Sequence, residues 1–397
     1  MILTAKQNAV LDKLASFSFE RPFFLGGYAG TGKTTILKAL EQMYPLQVTF
    51  LAPTGKACQV LKTKMSPMAK VRTIHSFLYL PVEISEDTLA RWRSEAENGS
   101  QYAKVRLKNY EDGFTVDFMD NLTEPVDDII VVDESSMLGQ REYLRLREVC
   151  RKLVFVGDPF QLPPVQSPSV IPSEARDFDA FLDEVHRAAL ESPITRLSMD
   201  IRSGNFKGWK YWSQNGIEYS VKTTLGTLKS VDQVITGSNA ERKRLNRAMR
   251  LPEKGYEPHV GDKVIVKDNI YGRNKWLRLV NGDIGRISSL QMSFGGVSIE
   301  DIPGHPYPEH LRFTDELLAD CYGVDASLPR ETKGVYRNHR IDYAYAITCH
   351  ASQGSEWPSV LVYDDHMRAS DKESRLRWLY TAVTRAKEKL IFVEKSC

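Results

Sequence analysis

Residues 27–34 read Gly27-Tyr-Ala-Gly30-Thr-Gly32-Lys33-Thr34, and this stretch decides the fold class. It follows a predicted strand at 23–27 and opens a predicted helix. Glycine lets the backbone bend tightly, so that amide N–H groups face phosphate oxygens at a helix N-terminus. Lys33 can then reach the β- and γ-phosphates of a nucleotide, and the Thr34 hydroxyl can ligate Mg²⁺. A glycine-rich structural turn is the weaker alternative, and the stretch predicts a phosphate-binding loop in an α/β fold.

Short apolar runs alternate with helical patterns in two groups along the chain. This alternation predicts two α/β modules in tandem, each with a parallel sheet and crossover helices. The first group has predicted strands at 23–27, 47–52, 128–133 and 153–157, with helices at 33–43 and 140–152. The second has predicted strands at 233–236, 343–348, 360–364 and 390–393, with helices at 240–250 and 373–388.

Two segments interrupt this rhythm. Residues 103–118 predict a β-hairpin, because apolar and polar residues alternate on both sides of a Glu-Asp-Gly turn. Residues 256–334 hold several short strand patterns joined by tight turns, which predicts a small β-barrel inserted in the second module.

Composition narrows the class of protein without naming a partner. A chain of 397 residues exceeds one ordinary core, so two or three domains are expected. There is no run of 18 apolar residues and no signal-peptide pattern, so we expect a cytoplasmic protein with no membrane partner. The five scattered cysteines support neither a disulfide framework nor a zinc cluster. A net charge of +2 neither favours nor excludes nucleic acid, because a binder can confine its positive charge to one groove.

Two further motifs follow strands of the first group. Asp133 and Glu134 come at the carboxyl end of the apolar run 129–132, where open α/β sheets bind ligands. Asp133 would hold Mg²⁺, and Glu134 would orient and deprotonate the attacking water. Gln161, in the segment 155–164, could sense the γ-phosphate through its amide. Alone, the first motif could be a helix cap and the second a proline-rich surface loop. Together with the phosphate-binding loop they predict nucleotide hydrolysis.

These motifs, in this order, resemble those of superfamily 1 helicases, specifically the RecD/Dda-like branch. Further matching segments lie at residues 3–7, 51–58, 73–77, 185–187, 348–356 and 380–387. The resemblance implies two tandem RecA-like P-loop NTPase domains, the first with an inserted β-hairpin that acts as a separation pin and the second with an inserted SH3-like β-barrel. The expected boundaries are 1–80 with 127–184 for the first domain, 81–126 for the pin, 185–255 with 336–397 for the second domain, and 256–335 for the barrel.

The resemblance also implies roles at the nucleotide site. Gln7 would contact adenine, and Arg187 and Arg385 would reach the γ-phosphate from the second domain. Arginines of this kind spread the charge of the transferring phosphoryl group and contribute about 10³–10⁵ in rate. The motor interpretation depends on both arginines facing the nucleotide. The predicted catalytic residues are Lys33, Asp133, Glu134, Gln161, Arg187 and Arg385, with Thr34 and Asp133 as metal ligands. The predicted ATP-binding residues are Gln7, Gly27, Ala29, Gly30, Thr31, Gly32, Lys33, Thr34, Thr35, Gly354 and Glu356.

Strand-binding motifs of the family supply the expected nucleic-acid contacts. Their hydroxyls and amides can bond phosphates without reading bases, as a motor that passes any sequence requires. The same residue types also form ordinary turns and caps. The predicted contacts are Pro53, Thr54, Thr73, His75, Ser76, Pro163, Pro164, Thr236, Asn239, Thr348, His350 and Ser352. The helix at 241–250 carries five cations, which could form a phosphate track or a solvated face.

The hairpin predicted at 103–118 carries its own hypothesis. Tyr110 and Phe114 near its tip would stack against the first base pair at a fork, since stacking on a base contributes about 1–3 kcal/mol. The alternative is a hairpin that packs on its own module and has no role at a fork.

The family implies an ATP-dependent 5′→3′ DNA helicase that uses ATP and Mg²⁺. Its expected partners are single-stranded DNA, forked duplex DNA, and proteins of replication, recombination or repair, including a single-strand-binding protein. A monomeric motor in a bacterial or phage-infected cell is expected, and only the resemblance supports the polarity. Two alternatives stay open: an RNA or RNA–DNA helicase of the same superfamily, and an ATP-hydrolysing single-strand-binding switch that does not unwind. Two departures from the family pattern are Ala351 in place of the usual Lys and Ala188 in place of a frequent Gln.

Overall fold

The elements were traced in a computed structural model. It describes residues 3–111, 116–122, 124–164, 167–185, 190–254, 259–267, 270–271, 277–279, 281–291, 296–300, 311–313, 340–365 and 371–394. The strands are β1 (Phe23–Gly27), β2 (Val48–Ala52), β3 (Lys70–Thr73), β4 (Tyr79–Glu83), β5 (Val116–Asp120), β6 (Val126–Val132), β7 (Cys150–Gly157), β8 (Ala180–Leu182), β9 (Glu218–Ser220), β10 (Gln233–Thr236), β11 (Lys263–Val266), β12 (Ile270–Tyr271), β13 (Leu277–Leu279), β14 (Ile284–Gln291), β15 (Gly296–Glu300), β16 (Leu311–Phe313), β17 (Arg340–Tyr343), β18 (Ala346–Thr348), β19 (Trp357–Asp364) and β20 (Ala386–Glu394). The helices are α1 (Ala5–Ala15), α2 (Lys33–Met43), α3 (Gly55–Lys64), α4 (Ile74–Leu78), α5 (Glu86–Glu97), α6 (Gln101–Glu111), α7 (Gln140–Val149), α8 (Pro193–Arg202), α9 (Trp209–Ser213), α10 (Leu225–Lys229), α11 (Asn239–Lys254) and α12 (Lys372–Val383).

The chain divides into two units. The first comprises Met1–Ile74, Glu124–Gly255 and Tyr343–Cys397, and the second comprises His75–Thr123 and Tyr256–Asp342. The first unit holds two parallel sheets, each with its own helices, and we call these parts the N-terminal and C-terminal α/β domains. Among the described helices none is long and apolar enough to cross a membrane.

The sheet of the N-terminal domain has the strand order β3-β2-β6-β7-β1-β8 within the described residues. Every pairing in it is parallel. Strands covered by helices on both faces are apolar along their whole length, and β2 is buried at all five positions. Because parallel strands end at the same edge, the loops after β1, β2, β6 and β7 meet there. This shared edge carries the predicted phosphate-binding and acidic motifs.

The sheet of the C-terminal domain has the order β18-β10-β19-β20-β9 in the part of the chain described, again with parallel pairs only. Its core includes Trp378 and Phe392, both fully buried. Two tandem α/β domains with parallel sheets are therefore confirmed. Three short edge strands, β3, β8 and β9, are absent from the prediction.

The cations of α11 have structural partners in this domain. Arg244 bonds the Glu241 carboxylate and the Tyr363 hydroxyl, the latter at 3.0 Å. Arg250 is buried, and its guanidinium lies 4.0 Å from the Tyr343 ring centroid. Arg250 therefore packs inside the domain, whereas Arg244 combines an ion pair with a half-exposed side chain.

The second unit differs from the predicted hairpin. Residues 101–111 form α6, so the β-hairpin predicted at 103–118 is wrong. The antiparallel pair is instead β4 with β5, with Tyr79 opposite Asp120, and α5 and α6 lie between these strands in sequence. Tyr110 is half-buried and packs on the core of α5 and α6, whereas Phe114 lies outside the described residues.

A closed barrel also belongs to the second unit. Its strands are β11, β14, β15, β16 and β17 among the residues described. The first four lie in the region predicted to hold an inserted barrel, whereas β17 lies beyond the predicted end at residue 335. Val264 and Ile287 are fully buried inside it. Buried and less buried positions alternate over residues 284–288 of β14, as in a strand with one face inside a barrel, whereas β11 is buried at three successive positions.

Candidate nucleotide site

The loop between β1 and α2 has the backbone geometry of a phosphate cradle. Gly30 and Gly32 take φ values of 75° and 87°, which favour glycine, and Gly32 is the N-cap of α2. The Lys33 ammonium donates to the carbonyl oxygens of Gly27 at 2.6 Å and Tyr28 at 2.9 Å. The lysine is thus folded back over the loop, where it can exchange carbonyl partners for phosphate oxygens.

Gly27 and Thr31 support this loop from behind. A Cβ on Gly27 would lie 3.0 Å from both the Leu182 Cβ and the Thr31 hydroxyl oxygen. Thr31 is buried and donates its hydroxyl to the Tyr28 carbonyl at 2.8 Å. Neither residue lines the cavity in front of the loop.

A cavity of about 370 Å³ opens in front of the loop, within the roughly 300–1,000 Å³ typical of ligand sites. Its walls come from both α/β domains. The N-terminal domain contributes Tyr28, Ala29, Gly30, Gly32, Lys33, Thr34, Thr35, Ala57, Val60, Leu61, Lys64, Asp133, Glu134 and Gln161. The C-terminal domain contributes Gly354, Glu356, Thr384 and Arg385. Most of the predicted nucleotide-site residues therefore share one cavity.

The acidic pair stands at the carboxyl end of β6. The Asp133 amide donates to the Leu51 carbonyl at 2.8 Å, which fixes the strand end. Glu134 takes a positive φ of 51°, a left-handed conformation that is strained for a residue other than glycine and often found at functional sites. Burial, and then the negative charge of Glu134, raise the pKa of Asp133 to about 6. A cation beside Asp133 would relieve this electrostatic strain.

Arg385 is held rigidly on the opposite wall. The side chain is only 4% exposed. Its guanidinium donates to the Thr381 carbonyl at 3.0 Å, the Ser355 carbonyl at 3.2 Å and the Thr384 hydroxyl at 3.1 Å. An arginine fixed in this way can stabilise charge that develops in the transition state, because its side chain is already ordered before the reaction. Arg187, its predicted companion, lies outside the described residues.

Gln161 is buried at the junction of the two domains. Its Oε1 has no hydrogen-bond partner among the residues described. The carbonyl oxygen of the following residue, Leu162, accepts from the side-chain amide of Gln353 at 2.9 Å. The Leu162 backbone N–H donates to the Thr381 hydroxyl at 3.0 Å. The loop that carries Gln161, the predicted γ-phosphate sensor, is therefore bonded to the C-terminal domain through both the carbonyl and the N–H of Leu162.

Gln7 forms a capping box at the start of α1. The Gln7 side-chain Oε1 accepts from the Thr4 backbone N–H at 3.0 Å, and the Thr4 hydroxyl accepts from the Gln7 backbone N–H at 3.2 Å. The Gln7 Nε2 is buried and finds no partner within the described structure. Gln7 does not line the cavity described above.

Several of the predicted nucleic-acid contacts lie at strand ends, in loops and in the short helix α4. Thr73, Thr236 and Thr348 end β3, β10 and β18, and the hydroxyl of Thr236 is buried with no partner in the described residues. Pro53 and Pro164 are half-buried and Pro163 is exposed, in the loops after β2 and β7. His75 and Ser76 lie in α4.

Several predicted contact residues already form hydrogen bonds with the backbone or with a neighbouring side chain. Thr54 caps α3 by accepting from the Ala57 amide, and Thr348 accepts from the Ala351 amide. The Asn239 Oδ1 accepts from the Arg242 guanidinium at 3.1 Å. Ser352 is fully buried and donates to the Cys349 carbonyl at 2.7 Å, so its side chain supports the turn from inside. Burial lowers the pKa of His350, which favours the neutral imidazole.

Sequence reasoning missed several residues of the cavity. Ala57, Val60, Leu61 and Lys64 line it from one face of α3, and their spacing of three and four residues is the signal that could have found them. The role of Tyr380, which lies in the matching segment 380–387 but does not line the cavity, was missed as well, because its partners are more than 200 residues away in the chain.

Two protein-family models match parts of this chain. The family model described as AAA domain matches residues 2–218, more than half of the chain. The chain belongs to the AAA domain family. A second model, described as UvrD-like helicase C-terminal domain, matches residues 343–393. Together the two models bear out the predicted resemblance to superfamily 1 helicases of the RecD-like branch.

Individual relatives agree with this placement. The ATP-dependent RecD2 DNA helicase of Deinococcus radiodurans is 26% identical over 419 residues, which cover 98% of this chain and 48% of the relative. The chain thus spans about half the length of that relative. A Pif1 helicase structure concerned with unwinding of forked duplex DNA has a TM-score of 0.58 at 17% identity, and the match covers 99% of this chain and 92% of the other. Pif1 helicase from Candida albicans gives a TM-score of 0.52 at 19% identity, with 99% and 95% covered. These two structures share the fold of this chain.

Proposed function

We propose that the chain is an ATP-dependent DNA helicase that moves 5′→3′ along one strand and unwinds duplex ahead of it. The observation that carries the proposal is the cavity shared by two domains, with Lys33, Asp133 and Glu134 on one side and Arg385 on the other. Because the reacting groups are divided between domains, hydrolysis depends on how the domains are placed. Each cycle of ATP binding and hydrolysis can therefore drive one closing and opening movement.

Each residue has a role in hydrolysis that its position supports. Lys33 would leave the Gly27 and Tyr28 carbonyls and bind the β- and γ-phosphates. Glu134 would orient and deprotonate water, and Arg385 would stabilise charge on the transferring group. Gln161 would position the water with its side-chain amide oxygen, which has no partner among the residues that the structure describes. Gln7 would bond adenine through its Nε2, which has no hydrogen-bond partner in the part of the chain that the structure describes.

Thr34 and Asp133 are the residues that would hold Mg²⁺. A hydroxyl and a carboxylate are the hard oxygen ligands that this cation prefers, and both line the cavity. When bound, Mg²⁺ neutralises charge on the β- and γ-phosphate oxygens. The raised pKa of Asp133 supports the assignment, because a carboxylate that is costly to ionise alone gains most from a neighbouring cation.

DNA is the proposed track because the RecD2 relative is a DNA helicase and the Pif1 structure concerns forked duplex DNA. The strand ends at Thr73, Thr236 and Thr348, and the loops at Pro53 and Pro163, are proposed to bond its phosphates. An intracellular location, the partner proteins of replication, recombination or repair, and action as a monomer stay predictions of the family resemblance.

Unwinding of tailed duplexes tests the proposal. The full chain, with ATP and Mg²⁺, should separate a duplex with a 5′ single-stranded tail and leave a 3′-tailed duplex intact. Lys33→Ala should abolish both ATP hydrolysis and unwinding, while single-strand binding remains. Equal stimulation of the ATPase by poly-U and poly-dT would favour the RNA helicase alternative. ATP hydrolysis without separation of either duplex would favour the switch alternative.

A further inference from the structure

The Tyr380 side chain joins two loops of the nucleotide site across the domain boundary. Tyr380 lies in α12 and is only 1% exposed. Its hydroxyl donates to the Asp158 carboxylate at 2.6 Å and accepts from the Ala29 amide at 2.9 Å. Ala29 belongs to the phosphate-binding loop, and Asp158 begins the loop that carries Gln161. One hydroxyl group therefore bonds both loops at once.

Asp158 passes this connection on to Gln161. The carboxylate is fully buried, and its other oxygen accepts from the Phe160 amide at 3.0 Å. The backbone carbonyl of Asp158 accepts from the backbone N–H of Gln161 at 3.2 Å, which closes a tight turn. The Phe160 ring meets the Tyr380 ring edge to face, with centroids 5.3 Å apart. The turn is thus fixed on Tyr380 by a hydrogen bond and by ring packing.

The surroundings of the phenol favour its protonated form. Burial, and next the charge of Asp158, raise the pKa of Tyr380 well above that of a free tyrosine. The hydroxyl therefore donates to the Asp158 carboxylate, and its lone pairs are available for the Ala29 backbone N–H.

We propose that Tyr380 is a positioning residue for ATP hydrolysis, which holds the Gln161 loop in register with the phosphate-binding loop through Asp158 and Ala29. The inference rests on the proposed function, because it assigns Tyr380 to the same hydrolytic site. Tyr380 does not line the cavity, so it acts through the two loops and not on the nucleotide. The attacking water is placed correctly in the transition state only when the Gln161 loop and the phosphate-binding loop are aligned. Binding of ADP relies on backbone amides of the phosphate-binding loop other than that of Ala29.

Tyr380→Phe tests the inference by removing one oxygen atom and keeping the ring. We expect kcat for ATP hydrolysis to fall about 10- to 30-fold, with KM for ATP changed by less than about twofold, since an interaction realised only in the transition state lowers kcat alone. Tyr219→Phe is the matched control, because its hydroxyl also bonds a carboxylate, that of Glu394, at 2.9 Å on the edge strand β9. Its kinetics should equal those of the wild type.

Binding of ADP and of ADP–aluminium fluoride separates positioning from general damage. Tyr380→Phe should bind ADP as the wild type does and bind ADP–aluminium fluoride, a transition-state mimic, about 10-fold more weakly. Equal weakening for both ligands, or a higher KM with an unchanged kcat, overturns the inference. Asp158→Ala removes the acceptor from the other side of the bond, and it carries the test if Tyr380→Phe does not fold. If both variants act through this bond, the double variant should lose no more kcat than the more affected single variant.

The two proposals fail in different ways. If the wild-type chain hydrolyses no ATP, the proposed function fails. If the wild type is active, Lys33→Ala is inactive and Tyr380→Phe has wild-type kcat, the inference about Tyr380 fails and the proposed function stands.

Discussion

Asp133 has an environment in the folded protein that favours its protonated form. Burial beside Glu134 raises the pKa of this carboxyl from about 3.8 to about 6. Between these two values the folded chain binds a proton that the unfolded chain releases, so the free energy of unfolding falls as the pH rises through this window. Because one pKa unit corresponds to about 1.4 kcal/mol, the ionised carboxylate lowers that free energy by about 3 kcal/mol above pH 6.

Asp133→Asn should therefore stabilise the protein above pH 6 when no Mg²⁺ is present. We expect its thermal midpoint to exceed that of the wild type by roughly 5 °C at pH 7.5, and by much less at pH 4.5. Thermal melts at both pH values, in the presence of a chelator, measure the difference. Asp127→Asn is the control, because that carboxylate is 77% exposed and its loss should shift the midpoint very little. The prediction fails if Asp133→Asn melts below the wild type at pH 7.5.

Local motifs predicted most of the single residues at the site. Lys33, Asp133, Glu134 and Gln161 each follow a strand in a short pattern whose chemistry can be read directly, and all of them line one cavity. Tyr380 could not be found in this way, because its role depends on partners that only the folded chain brings together.

At the scale of single elements, the segment 103–118 shows where sequence patterns mislead. Five residues of alternating polarity, 104–108, fit a strand with period two, and five residues are too few to exclude a helix. The longer spacing of Ala103, Leu107 and Tyr110 is helical, and these three residues pack with the buried Leu89 and Trp92. Packing against a neighbouring helix therefore decided the structure, which local alternation cannot report.

Substitution of Leu107 and Val105 by lysine distinguishes the helix from the predicted hairpin. In a hairpin the two residues share one face, and both changes would do similar harm. In α6 the Val105 side chain is 56% exposed, whereas Leu107 packs on the core of α5 and α6. We expect Leu107→Lys to destabilise the second unit by about 2 kcal/mol and Val105→Lys by less than about 0.5 kcal/mol. Limited proteolysis within residues 75–123 measures the difference, and equal sensitivity of both variants would contradict the helix.

For the molecule as a whole, alternation of strands and helices was enough to predict two parallel sheets. It could not predict how closely the two α/β domains approach, because that distance depends on single atoms. Gly354 of the C-terminal domain, with φ of 73°, lies against α3 of the N-terminal domain. A Cβ on Gly354 would come 3.0 Å from the Ala57 Cβ, closer than most such contacts. The absence of one methyl group thus lets the two walls of the cavity meet.

Gly354→Ala should therefore separate these walls and slow hydrolysis. Gly204→Ala is a matched control, because Gly204 has nearly the same φ, 72°, with no heavy atom within 4 Å of the added Cβ. Both changes should cost about 1 kcal/mol of stability through the left-handed backbone, but only Gly354→Ala also pushes the turn away from α3. We expect at least a 10-fold loss of kcat for ATP hydrolysis in Gly354→Ala and a wild-type kcat in Gly204→Ala, measured at saturating ATP and below both melting transitions. Equal kcat values in the two variants would mean that backbone strain alone matters here, and that close approach of the domains at Ala57 contributes nothing to catalysis.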